Sequence, residues 1–168
     1  MKIILLGNIL SLLAMCSDSF SSSRKTTKGV LMTQNLSQVF YGLSSLVLGG
    51  YSAAVQNVVS ILRNFVAMSK VNSKVIAWGL IALGVVLGVF FNNLGLVGWL
   101  PIIANFEYSI AVFKFKDNER ALKSAFLVCC ALFTIFNVFI YNVVGVISNT
   151  VVIISIITFL VKGKEKTA

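Results

Sequence analysis

Residues 48–64, LGGYSAAVQNVVSILRN, place a glycine turn ahead of an apolar segment that nonetheless carries Gln56, Asn57, Ser60, Arg63 and Asn64. At about 100° per residue these five side chains fall within an arc of roughly 120°, one polar stripe on a helix whose other faces suit lipid. Such a stripe has to face protein or trapped water. An unpaired polar group in hydrocarbon costs several kcal/mol, and an arginine at the bilayer centre about 2.5 to 3.5 kcal/mol even on the lenient insertion scale. The segment therefore predicts a membrane protein with a polar interior.

Composition agrees. Of 168 residues 58% are hydrophobic, 11% are charged and one is proline. A soluble domain has about 25% charged residues, so the shortage of charge decides the class. At about 20 residues per span the chain holds roughly seven helices, with no room for a soluble domain. The expected segments run from about Ile3 to Phe20, Val30 to Leu48, Tyr51 to Ser69, Val75 to Phe91, Gly95 to Phe113, Ala121 to Ile140 and Val143 to Val161. The first is read as a retained helix; a signal peptide is the other reading of Lys2 before an apolar core, but no small-residue cleavage site follows cleanly.

The net charge of +9 raises the question of nucleic acid. Its distribution answers it. Lysine and arginine concentrate in the first, third and fifth loops and the C-terminal tail, and the second, fourth and sixth loops have none. The positive-inside rule then predicts an outside N-terminus, a cytoplasmic C-terminus and an odd number of spans. Trp78, Trp99, Tyr51 and Tyr141 fall near predicted span ends, where aromatic rings suit the headgroup region.

A shift of 92 residues lays segments two and three on segments six and seven. Gly49-Gly50 then falls on Tyr141-Asn142 and Asn57 on Asn149, while Ser148, Asn149 and Ser155 take the stripe positions of Gln56, Asn57 and Arg63. A shift of 91 pairs segment one with segment five. The predicted plan is all-α: a three-helix repeat in residues 1–70, a linker helix in 71–94 and a second three-helix repeat with a basic tail in 95–168. Parallel repeats of this kind place a solute site at mid-depth between the halves. Counting about 1.5 Å per residue, Asn57 and Asn149 both lie roughly 9 Å from the outer end.

Leu48-Gly49-Gly50-Tyr51, Ile61-Leu62-Arg63, and Trp99-Leu100-Pro101-Ile102-Ile103 ahead of a basic loop resemble the bacterial YgjV-type inner-membrane proteins over most of the chain. That family is similar, more distantly, to the SWEET and PQ-loop carriers, which implies a three-one-three helix plan. The resemblance also implies that an asparagine pair on the third and seventh helices, here Asn57 and Asn149, lines a solute site. The SWEET pattern has a proline in the first helix of each half; this chain has only Pro101, in segment five.

The expected solute-binding set is Asn57, Asn149, Gln56, Ser60, Arg63, Asn64, Glu107 and Ser148. Arg63 and Glu107 both come out roughly 18 Å deep and are expected to approach each other or share a water-filled cavity, because pairing lowers the cost of desolvating each. A structural ion pair, or an arginine reaching toward headgroups, is the plain alternative. Asn57 and Asn149 are equally readable as interhelical glue. Asp18 reads as an interfacial charge. Gly84 and Gly88 form a G-x-x-x-G pair, generic packing or a homo-oligomer face.

Catalysis finds no support, with no histidine, no close carboxylate pair and no phosphate loop. No cofactor or metal is expected, and Cys16, Cys129 and Cys130 read as small packing residues. The predicted function is carriage of a small polar solute across the inner membrane, with the lipid bilayer as the other partner and no nucleic acid. A non-transporting assembly partner, whose stripe binds another helix or a lipid, is the alternative.

Overall fold

A computed structural model describes residues 1–22, 27–69, 73–115 and 118–165. Among them are seven helices and no strand: α1 (Lys2–Ser22), α2 (Thr27–Val47), α3 (Tyr51–Met68), α4 (Lys74–Phe90), α5 (Trp99–Lys114), α6 (Glu119–Phe139) and α7 (Val143–Glu165). Six of the predicted starts fall within three residues of these. The fifth does not: residues 95–98 form a turn, and α5 begins at Trp99 instead of Gly95. Asn92 explains it, because its side chain accepts from the Leu94 amide at 3.1 Å, donates to the Gly95 carbonyl at 2.9 Å and occupies the space a Cβ at Gly98 would need. Of the basic stretches, residues 23–26, 70–72, 116–117 and 166–168 lie outside the described residues.

Each of α1, α2 and α3 packs against the next, as do α5, α6 and α7. Contacts of α3 with α5 and of α1 with α7 close these six helices into a ring, and α4 leans on α3 and α5 from outside. Gly84 and Gly88 make that lean close, since an added Cβ would meet Val59 at 3.2 Å and Gln56 at 2.4 Å respectively. The glycine pair thus packs within the chain, as the packing reading of G-x-x-x-G expects.

Polarity is inverted relative to a soluble domain. Buried positions include Ser11, Ser44, Gln56, Asn57, Arg63 and Asn105, while Val75, Trp78, Val86, Phe90, Val143 and Ile154 lie exposed. An apolar outside around a hydrogen-bonded polar inside is what a hydrocarbon solvent selects. Length and composition alone qualify two helices as spans, Arg120–Phe139 and Val143–Val161; Lys74–Phe90 is apolar but shorter.

Candidate functional site

The ring encloses a cavity of about 150 Å³, lined by α1, α2, α3, α5, α6 and α7. Of the expected binding residues, Gln56, Asn57, Ser60, Arg63, Ser148 and Asn149 line it together. Asn64 and Glu107 do not. Asn64 donates to Asn35 on α2 at 2.9 Å, joining two helices away from the cavity. Ser155 is exposed and donates to Val151 of its own helix at 2.9 Å, so it does not reproduce the place of Arg63.

Arg63 is 7% exposed. Its Nη1 donates to Asn105 Oδ1 and to Ser109 Oγ, both at 3.2 Å, and its guanidinium carbon sits 5.1 Å from the centre of the Tyr108 ring. The expected approach to Glu107 does not occur. Glu107 lines a separate apolar groove with Phe106, Ile110 and Val128, and one of its carboxylate oxygens is buried without a hydrogen-bond partner. Helix rotation is the reason: equal depth put the two charges at one level, but Glu107 follows Asn105 by about 200° around α5, whereas Ser109 returns to within about 40° of it.

Asn105 is the hub. Its Oδ1 accepts from Ser60 at 3.2 Å as well as from Arg63, and its Nδ2 donates to Gln56 Oε1 at 2.6 Å. Gln56 in turn donates to the Gly84 carbonyl at 2.8 Å, so one amide relay ties α5 to α3 and α3 to α4. Asn57 donates to Ala53 of its own helix at 2.9 Å while lining the cavity.

On the far wall, the hydroxyls of Tyr41 (α2) and Ser148 (α7) meet at 3.0 Å. Asp18, expected as an interfacial charge, is exposed near the end of α1, and it also lines the cavity and accepts a hydrogen bond from Ser37. Cys129 and Cys130 are buried and line the cavity too, while Cys16 is exposed. Asn105, Ser109, Tyr108, Tyr41 and Asp18 were absent from the expected set. Asn105, Tyr108 and Ser109 follow the spacing i, i+3, i+4, the signal used for α3, and could have been found the same way.

At one end the cavity meets an apolar cluster of Ala53, Phe136 and Ile140. Phe136 of α6 rests against Gly50, where an added Cβ would come within 2.7 Å of its ring. Two asparagines clasp the turns there. Asn8 donates to the Tyr141 carbonyl at 3.0 Å and accepts from the Val144 amide at 2.9 Å. Asn93 donates to the Gly49 carbonyl at 2.7 Å and accepts from the Tyr51 amide at 3.4 Å.

A helical bundle that is polar within and apolar without is the form of an integral membrane protein. Over residues 5–167 the sequence matches the model of the Imp-YgjV family, described as a bacterial inner membrane protein, and the chain belongs to that family. No curated protein and no solved structure matches it, SWEET and PQ-loop carriers included.

Proposed function

We propose that the chain is an inner-membrane carrier that moves a small polar solute by alternating access, here with its cavity open at one end and shut at the other. The observation that carries this reading is the polar cavity of about 150 Å³, walled by α1–α3 and α5–α7 and not by α4. That is well above the roughly 10 to 15 Å³ that a single water needs by the same measure. The open end is the one toward which α1 runs, because Asp18 alone among the lining residues is exposed. The shut end is the Phe136 cluster with the Asn8 and Asn93 clasps.

A three-one-three plan is supported by the neighbour pattern of the six ring helices, which is unchanged when α1, α2 and α3 are exchanged for α5, α6 and α7; α4 breaks that symmetry by packing on α3 and α5 alone. The two hairpins support it further. Gly50 donates to the Ser45 carbonyl at 2.7 Å and Asn142 to the Asn137 carbonyl at 2.9 Å, each 92 residues apart; Gly49 to Leu46 and Tyr141 to Val138, both at 3.2 Å, repeat the same offset. Parallel halves of this kind rock about a fixed site. Positive charge at the open end makes that end cytoplasmic, together with the C-terminus.

The test is a thermal-shift screen of the purified protein against sugars, nucleosides, amino acids and vitamins, since a ligand of the folded state raises its apparent stability. A hit that disappears in Asn57→Ala/Asn149→Ala, with insertion and monodispersity intact, supports carriage. The assembly reading draws on Gln56 and Asn64, which spend their amides on neighbouring helices. It predicts instead that polar substitutions disperse a complex and that no solute shifts the melting curve.

A further inference from the structure

The cavity carries two formal charges of opposite sign, and they do not neutralise each other directly. Arg63 reaches in from α3 and Asp18 from α1, helices that do not pack together, and no ion pair joins the two side chains. Arg63 has committed only Nη1, to two neutral oxygens. Its Nε and Nη2 have no acceptor among the described residues, and the residue lines the cavity. Those two N–H groups are the parallel fork that matches the two oxygens of a carboxylate. Asp18 uses Oδ1 to accept from Ser37 and keeps Oδ2 free of any protein donor among the described residues. Lining residues between them, such as Gln38, Tyr41 and Cys130, are neutral polar or soft.

A monoanion would satisfy the fork and bring like charge into the cavity that Asp18 also lines. An amine would satisfy Asp18 and leave the buried guanidinium without a counter-ion. A neutral solute would leave the buried guanidinium without a counter-ion, which is unfavourable. We infer that the solute is a small zwitterion of the amino-acid type, its carboxylate on the Arg63 fork and its ammonium group toward Asp18. This rests on the carrier reading of the same cavity and adds the solute class.

Four compounds of nearly one shape separate the possibilities: L-alanine, which has both charges; L-lactate, only the anion; L-alaninol, only the cation; and propane-1,2-diol, neither. Binding is measured to the full-length wild-type protein in nanodiscs by thermal shift and calorimetry. The expected result is L-alanine tighter than each of the other three by about tenfold or more. Asp18→Asn is expected to move the preference toward L-lactate and Arg63→Gln toward L-alaninol, each by about tenfold. The wild-type comparison needs no variant to fold, and Arg63→Lys, which keeps the charge without the fork, is expected to keep the order of preference with weaker binding. L-lactate, L-alaninol or the diol binding as tightly as L-alanine would overturn the inference. So would a hit confined to sugars or nucleosides, which leaves the carrier reading standing. If no solute of any class binds or is taken up, the carrier reading falls and the zwitterion with it.

Discussion

The hairpins α2–α3 and α6–α7 turn through the same hydrogen bonds and carry opposite chemistry. In α3, five polar or charged side chains occupy residues 56–64, and all five are buried. In α7 the cavity is lined by Ser148, Asn149 and the apolar Val152, while Thr150, Ser155 and Thr158 each donate back to their own helix, four residues earlier. A hydroxyl returned to its own backbone can face lipid, but an amide or guanidinium needs partners from other helices. One hairpin is therefore wall, and the other holds the chemistry.

Arg63→Leu should break this contrast hardest. It removes the charge, leaves Asn105 and Ser109 short of a donor, and is expected to lower solute binding by about 100-fold, in line with about 1.5 to 3 kcal/mol for hydrogen bonds to a charged group. Ser155→Leu, at the offset position on α7, should leave binding unchanged and stability within about 0.5 kcal/mol. Equal losses in calorimetry would mean the halves share the work. Next in size, Gln56→Leu cuts the relay from Asn105 to Gly84 and should destabilise by about 1 to 2 kcal/mol, since each interhelical bond in a membrane averages about 0.6 and reaches about 1.7. Ser148→Ala, which loses only the Tyr41 contact, should cost less than half of that in the same unfolding assay.

The asparagine pair sharpens the comparison. Asn57 is buried and Asn149 half-buried, so Asn57→Ala should weaken binding about tenfold and Asn149→Ala only a few-fold. The turns test the backbone of the two hairpins. Gly49 has φ of 81° and Tyr141 has φ of 58°, the left-handed region that costs a side chain about 1 to 2 kcal/mol. Gly49→Ala, with open space around the new methyl, should destabilise by about 1 kcal/mol, and Tyr141→Gly should be neutral or gain a similar amount.

Much of this was legible from residue order. Glycine pairs, charge-free loops and apolar runs marked the helices, because in a bilayer the backbone must bond to itself and only the connections are free to be polar. The stripe on α3 likewise pointed inward for all five residues, Gln56, Asn57, Ser60 and Arg63 toward the cavity and Asn64 toward Asn35. What failed was angular. Depth alone coupled Arg63 to Glu107, which faces another groove, and offset alone equated Ser155 with Arg63 although nothing obliges a serine to leave lipid. That Asp18 also borders the cavity was not legible, because position near a helix end says nothing of which neighbours converge there. The true partner, Asn105, sat in an apolar run where one asparagine looked incidental until Tyr108 and Ser109 were counted with it.

Cys129 and Cys130 border the wet chamber, whereas Cys16 faces outward on α1. The natural chain thus comes with its own side-specific reporter. A small charged mercurial added to the compartment at the Asp18 mouth should reach the paired thiols, the same reagent on the opposite face should meet the Phe136 seal, and bound solute should shield them. Sidedness of inactivation would then reveal which way the protein rests, with no foreign label introduced.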